Sequence, residues 1–247
     1  MSALTCVKAG VVYKFDDLSD TRTKEFLLES FPTRWENNTF NVFLHVAASN
    51  SEKIAIDIGA YIGLTAIWLC KRFSHTICVE GDQKSVSALE KNLRASECIN
   101  YSIINKPIYA SHQKMYFGAN NHISNAVQND SSSQLKLEKS KADDYEVESV
   151  IFEDIVAGKD PKNIGFIKVD IEGGEEAIFE QVFVFARTNK IPLFVSFHIP
   201  WWKNKDVSRF NHLFVTAKTY RDTLLPEYKP SEYLVKNEWE SLLFEFD

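Results

Sequence analysis

The sequence predicts an α/β domain, with helices on both faces of a doubly wound sheet. Three stretches carry that expectation. Ile54-Ala55-Ile56-Asp57-Ile58 is an apolar, β-branched run that breaks into Gly59-Ala60-Tyr61-Ile62-Gly63. A helical pattern follows from Leu64 to Phe73, with Leu64, Ile67, Trp68 and Leu69 apolar. Thr76-Ile77-Cys78-Val79 is a second strand-like run and ends on Glu80. Phe166 to Val169 is a third. It ends on Asp170 and Glu172 and passes through Gly173 and Gly174 into a helical pattern from Glu175 to about Ala186, with Ile178, Val182 and Phe185 on one side. Strand, turn and helix in repetition are the units of a mostly parallel sheet.

The first 50 residues precede that sheet. Val11 to Phe15 reads as a short strand, and Thr23 to Ser30 and Thr39 to Ala48 read as helices. In the second helix Phe40, Val42, Phe43, Val46 and Ala47 make one apolar face. The expectation is one domain over residues 1–247, with 1–50 as a helical and strand extension covering the sheet. Neither a repeat nor a linker divides the chain. Trp35-Glu36 either faces the ligand or anchors the core, and the buried anchor is favoured.

After Glu80, Lys84 to Leu93 reads as a helix with Val86, Leu89 and Leu93 inward. Tyr101 to Ile104 is a strand, and the loop Asn105-Lys106-Pro107 behind it could seat a base. Lys114 to Phe117 adds a short strand. Gly118 to Ser140 reads as a polar surface loop; His122 and Ser124 lie in it, where plain solvation is favoured over ligand contact. Glu148 to Val156 returns the chain to the sheet. Leu193 to Phe197 is a strand ending at His198, and Pro200-Trp201-Trp202 follows. For that tryptophan pair, stacking on a sugar face and core burial compete. Val207 to Tyr220 reads as a helix and Leu242 to Phe246 as a terminal strand.

The chemistry concentrates at strand ends. A strand, a glycine turn and a helix aim backbone N–H groups at a bound anion. An acid roughly twenty residues further on can hold both hydroxyls of a ribose, and Glu80 falls there. The nicotinamide fingerprint fails, because Tyr61 and Leu64 stand at its second and third glycine positions. The spacing D-x-G-x-x-x-G, from Asp57 through Gly59 to Gly63, resembles motif I of class I S-adenosylmethionine-dependent methyltransferases. An ordinary βα turn that needs two glycines is the alternative. Asp170 and Glu172 point to one side of an extended segment, and His198 ends the neighbouring strand. Two oxygens and one nitrogen suit Mg²⁺ or Mn²⁺. The metal-free reading makes Glu172 or His198 a general base. Glu172 also fits as an acid stabilised by a helix N-terminus, a role compatible with catalysis.

Ile56-Asp57-Ile58-Gly59-Ala60-Tyr61-Ile62-Gly63, Val79-Glu80 and Ile167-Lys168-Val169-Asp170-Ile171-Glu172-Gly173 together resemble the FkbM family of methyltransferases. The likeness runs from about Trp35 to His198, and Lys-x-Asp-x-Glu-Gly is its most specific part. It implies a Rossmann-like sheet of about seven strands with an antiparallel final strand. It also implies O-methylation, often of sugar or glycan hydroxyls, with S-adenosylmethionine as donor. Gly59, Ala60, Tyr61 and Gly63 would wrap the methionine end of the cofactor, Glu80 would bind ribose, and Asp170 and Glu172 would flank the methyl group. Asp57, Gly81, Asp82, Asn105 and Lys106 complete the expected cofactor set. The family commonly has Asn at the position of Tyr61 and Pro at that of Gly81. A small-metabolite or protein side-chain methyltransferase, and a non-catalytic module partnering another enzyme, are the alternatives.

The totals narrow the class further. A net charge of -6 without a long basic run argues against nucleic acid as the main partner. Cys6, Cys70, Cys78 and Cys98 form no C-x-x-C pair and read as thiols of a reducing compartment. Neither a secretory h-region after Met1 nor an apolar run of the ~20 residues a membrane span needs is present, so a cytoplasmic location is expected. Oligomeric state is left open.

Overall fold

A computed structural model of the chain describes residues 3–16, 21–118 and 134–247. β1 (Leu4–Lys8) and β2 (Val11–Phe15) pair as an antiparallel hairpin. A helical segment follows in three pieces: α1 (Thr21–Glu25), a π-helical turn (Phe26–Ser30) and α2 (Phe31–Thr33). α3 (Asn37–Asn50) leads into the alternating part, β3 (Ile54–Ile58), α4 (Ala66–Arg72), β4 (His75–Val79), α5 (Gln83–Ala95) and β5 (Tyr101–Ile104). β6 (Lys114–Gly118), β7 (Gln134–Lys136) and β8 (Tyr145–Glu148) form a separate antiparallel sheet in the order β7-β6-β8. The alternation then resumes with α6 (Phe152–Val156), β9 (Ile164–Val169), α7 (Glu175–Asn189) and β10 (Leu193–His198). α8 (Asn211–Phe214), β11 (Lys218–Arg221), α9 (Pro230–Lys236) and β12 (Trp239–Glu245) close the chain.

The main sheet has seven strands in the order β11-β12-β10-β9-β3-β4-β5. β12 runs antiparallel to both its neighbours, and the other pairs are parallel. The expected fold class is therefore found. From β3 the chain winds one way to β4 and β5; from β9 it winds the other way to β10. The crevice at the carboxyl ends of β3 and β9 is the switch point where such sheets bind ligands.

Alternation sorts the core. Ala55, Cys78, Phe166, Phe194 and Leu243 face one apolar layer with Phe43 of α3, Trp68 of α4 and Leu89 and Leu93 of α5. Ile56, Ile77, Ile167, Val195 and Leu242 face the other, with Ile178, Val182 and Phe183 of α7. The apolar face read into Thr39–Ala48 is buried: Phe40, Val42, Phe43, Val46 and Ala47 all belong to the first layer, and Phe43 meets Phe166 and Phe194 at 5.3 and 5.5 Å. On α5, Leu89 and Leu93 are buried as expected, whereas Val86 is half-buried beside a fully buried Ser85.

Two expectations change. Val207 to Tyr220 is not one helix. Val207–Phe210 is a 3-10 turn, α8 adds one turn, and the chain then leaves as β11. Phe210 and Phe214 are held by Phe179, and β11 satisfies its backbone on the otherwise open edge of β12. Second, the end of the polar stretch Gly118–Ser140 contains strand β7; His122 and Ser124 lie outside the described residues. All four cysteines are buried and unbridged. No described helix is long and apolar enough to cross a membrane.

Candidate functional site

The turn after β3 is shaped by backbone demand. Gly59 has φ +85°, and a Cβ there would collide with the Asp170 carbonyl of the next strand. Tyr61 and Glu172 also have positive φ, 48° and 55°. They stand in the turns after β3 and β9, so left-handed backbone concentrates at the crevice, where strain is often stored. Glu80 ties the rim together. Its carboxylate accepts from Tyr61 N–H at 2.7 Å and from Asp82 N–H at 2.8 Å. Burial pushes Glu80 up to about 7, although both amides oppose the shift. Asp82 caps α5 by accepting from Lys84 N–H, and it accepts from Tyr145 Oη at 2.9 Å, which latches the small sheet onto this rim. A Cβ on Gly81 would come within 2.9 Å of Pro107 Cβ and 3.1 Å of Phe117 Cε2. A proline at that position has no room in this chain.

Asp57 sits deeper. The register pairs it with Lys168 across β3 and β9. Lys168 Nζ donates to Asp57 at 2.9 Å and to the Gly59 carbonyl at 3.2 Å, and lies 3.6 Å from Asp170. Thr65 Oγ1 donates to the second Asp57 oxygen at 2.7 Å. Burial works against the Lys168 ammonium, but the Asp57 and Asp170 carboxylates outweigh it and hold the pKa above the ordinary lysine value. Asp57 is fully buried and does not line the crevice. It fixes the glycine turn and the two central strands to each other.

The far side is organised by a residue the sequence reading treated only as a helix start. Glu175 is fully buried. It accepts from Ile171 and Gly173 N–H, from Trp202 Nε1 at 3.1 Å, and bonds His198 Nδ1 at 2.9 Å. The opposite nitrogen, Nε2, lies 3.5 Å from Glu172 and 3.7 Å from Asp170. Burial alone would lower the His198 pKa; Glu175 first, then Asp170 and Glu172, push it up to about 10. Carboxylates facing both ring nitrogens thus favour the protonated imidazole. Burial would raise the Glu175 carboxyl, and the imidazolium reverses this, holding it below its ordinary value. Trp201 stacks on His198 at 5.6 Å, and Trp202 is buried in the core, as one of the two expectations for the pair has it.

A cavity of about 800 Å³ joins these features, within the ~300–1,000 Å³ range of ligand sites. Gly59, Ala60, Tyr61, Glu80, Gly81, Asp82 and Lys106 line it, as do Asp170, Glu172 and His198. Gly63 and Asn105 do not; Gly63 serves the turn, with φ +101°, and Asn105 is exposed. Pro107, Met115, Phe117 and Leu137 make an apolar wall at the Glu80 end. Trp35 and Glu36 line the cavity too. Trp35 also packs on Phe26, Phe31 and Phe40, combining both expectations for it. Burial and then the Asp170 charge push the Glu36 carboxyl up to about 8.

The donor set fits a metal poorly. Among the described residues no group of three or more His, Cys, Asp or Glu side chains is arranged to hold an ion. His198 instead has a carboxylate facing each nitrogen, the arrangement of an imidazolium.

Fold and cavity define an open α/β domain with a nucleoside-sized crevice at its switch point. The chain belongs to the Methyltransferase FkbM domain family, whose match covers residues 57–213. Among solved structures it is similar to the methyltransferase FkbM from Methylobacillus flagellatus, with 15% identity and a TM-score of 0.50, over 92% of this chain and 56% of that one. This chain thus spans little more than half the length of that relative. An O-methyltransferase from Bacillus cereus in complex with SAH aligns with 10% identity and a TM-score of 0.49, over 93% of this chain and 92% of that one. The O-methyltransferase TomG from Streptomyces achromogenes, in complex with SAM, aligns with 11% identity and a TM-score of 0.48, over 94% and 92%. A search of curated proteins finds no match.

Proposed function

We propose that the protein is an S-adenosylmethionine-dependent O-methyltransferase acting on a sugar or glycan hydroxyl. The observation that carries this is one cavity running from the buried acid Glu80 to the carboxylates Asp170 and Glu172. In this reading the ribose hydroxyls donate to Glu80, the base lies against Pro107 and Phe117, and the methionine end follows the turn Gly59–Gly63. The sulfonium then faces the carboxylates that end β9, which favour its positive charge.

Methyl transfer is an in-line displacement. The acceptor oxygen forms a bond to the methyl carbon as the carbon–sulfur bond breaks, and the electron pair goes to sulfur. Alignment of acceptor, methyl and sulfur supplies up to about 7–11 kcal/mol of the barrier in the best cases. The acceptor proton needs a base. In this reading His198 stays protonated between its carboxylates, and Glu172 or Asp170 takes the acceptor proton and releases it to water. His198 orients both carboxylates, and Glu175 orients His198.

A metal-assisted variant would place Mg²⁺ or Mn²⁺ on Asp170, Glu172 and His198. The imidazolium arrangement favours the metal-free route, so EDTA is expected to leave the rate of labelled methyl transfer unchanged. Loss of activity restored by Mg²⁺ would reverse that preference. The reading as a whole is tested by calorimetric titration with S-adenosylhomocysteine. Absence of binding at high micromolar concentration would remove it.

A further inference from the structure

The crevice does not end at its carboxylates. Glu36, Asp170 and His198 form a wall shared with a second cavity of about 500 Å³. Glu36 stands at the start of α3 in left-handed backbone, φ 45°, which turns the chain at that shared wall. Beyond it the floor is the β10–β12 pair, where Ser196 and Ser241 share a hydrogen bond of 2.9 Å. Trp239 lies directly across from His198 in that register and is 51% exposed. Its ring meets Trp201 edge-on at 4.7 Å and His198 edge-on at 5.7 Å. Both contacts fix the ring plane, so a half-exposed indole borders the second cavity in a set orientation. The cofactor placement above makes no use of this space.

We propose that the second cavity holds the methyl acceptor, and that the acceptor is a polyhydroxyl compound carrying no anionic group: a neutral or amino-bearing sugar. This rests on the methyltransferase reading and adds to it a location and a charge preference. The cavity meets the cofactor crevice at Asp170, so a hydroxyl entering there reaches the end of the crevice where the proposed function places the methyl group. Acids outnumber bases in the lining: Asp170 stands on the shared wall beside Glu36, whose carboxyl is held toward its neutral form, and Asp222 and Glu240 lie across from them. Against these stand His198, committed to its carboxylates, and Arg34, which is exposed and turned to Ser30 Oγ at 3.3 Å. Burial first, then the charge of Asp222, raises the Glu240 carboxyl, against the hydrogen bond from Tyr233 and the charge of Arg221. Carboxylates accept hydrogen bonds from hydroxyl and ammonium groups. They reject a carboxylate or phosphate by like-charge repulsion, which acts as selection against anionic sugars. The face of Trp239 offers an apolar platform for the C–H side of a sugar ring.

The experiment uses the full chain saturated with S-adenosylhomocysteine. Methyl glucoside, glucosamine and glucuronate are titrated into it, and the same three sugars are offered to the enzyme with labelled S-adenosylmethionine. Binding and methylation of the first two, with glucuronate at least about tenfold weaker, is the expected result, a factor worth about 1.4 kcal/mol. Trp239→Ala should raise the KM of the accepted sugar about tenfold with S-adenosylhomocysteine affinity unchanged. Asp222→Asn with Glu240→Gln should narrow the discrimination against glucuronate. Equal use of glucuronate, an unchanged KM in Trp239→Ala, or no binding of any of the three to the cofactor-loaded protein would overturn the proposal. Failure of S-adenosylhomocysteine to bind the wild-type chain would instead strike the underlying reading, so the two failures are distinguishable.

Discussion

Glu80 lines the crevice and Glu175 backs His198 on its far side; both are buried glutamates, and their charges are handled in opposite ways. Each accepts two backbone N–H groups, Glu80 from Tyr61 and Asp82 and Glu175 from Ile171 and Gly173. Glu175 also accepts from Trp202 and pairs in contact with a cation, His198, whereas the Lys168 charge acts on Glu80 only as the weakest of its influences. Burial therefore wins at Glu80, which rises to about 7, and loses at Glu175, which falls below its ordinary value. Amide donors alone do not offset the removal of a carboxylate from water; a paired imidazolium does. The carboxylates that end β9 are thus held in place by a cation of the chain itself. Glu80 is left short of donors, and in the proposed function the diol of a bound nucleoside would supply them.

The largest effect is expected where that pairing is broken. Glu175→Ala leaves a buried imidazolium without its closest partner and should cost about 3–5 kcal/mol of stability. Chemical denaturation of the two proteins measures it. Glu175→Gln keeps a hydrogen-bonding group and should lose less, while the His198 pKa, read by NMR, falls from about 10 toward the ordinary histidine value. The sign of the pH dependence follows. A histidine whose folded pKa is raised stabilises fully below its unfolded value near 6.5 and loses that contribution as pH climbs to about 10. The wild-type protein should lose stability across that window more steeply than His198→Asn, the difference reaching at most about 1.4 kcal/mol per pH unit; the raised carboxyls of Glu36 and Glu80 add a decline of the same sign to both proteins below about pH 8. A parallel decline in His198→Asn would refute the assignment.

A smaller effect is expected at Glu80, in binding. Hydroxyls donate to the ionised carboxylate, so a bound ribose would lower the Glu80 pKa and release a proton. S-adenosylhomocysteine affinity should therefore rise with pH up to about 7, by no more than tenfold per unit, and level off above it. Calorimetry in buffers of different ionisation enthalpy reads the released proton directly. Glu80→Gln turns one acceptor oxygen into a donor that opposes a backbone N–H, and should weaken binding about 10- to 100-fold. A pH-independent affinity would mean that Glu80 is not the group the ribose meets.

The same contrast explains what could be read before the structure was seen. Glu80 was legible because its signal is local: a strand, a glycine turn and an acid at a fixed distance down the chain. Asp170 and Glu172 were legible for the same reason, at the end of an apolar run. Glu175 was not, because an acid in the first turn of a helix is ordinary. Its partners His198 and Trp202 lie 23 and 27 positions away, and nothing local to Glu175 points to them. Trp239 carries no such signal either, since only the β10–β12 register sets it against His198. Asp57 carried a motif but not the expected contact. The buried Lys168 opposite it on β9 takes both its charge and its position, and pairing across strands 111 positions apart has no local signature. The segment from Val207 to Tyr220 was misread because helical periodicity competes there with an open strand edge, and the edge wins from Lys218 onward.

The smallest effect belongs to a third glutamate, which supplies the case the first two lack. Glu97 has a cationic partner without burial. It pairs with Lys14, its side chain is 74% exposed, and the hydrogen bond from Lys14 lowers its pKa. If a cation were sufficient, this pair would matter as the Glu175–His198 pair does. Solvent screening and the entropy of holding two long side chains argue otherwise. Glu97→Gln should leave the thermal midpoint unchanged at physiological salt, and any difference that emerges at low ionic strength should vanish as salt is added. The residue sits at φ 58°, so the Gln substitution is the proper control: it keeps the backbone strain and removes only the charge. A midpoint shift approaching that of Glu175→Gln would show that charge pairing, and not pairing under burial, separates the two sides of the crevice.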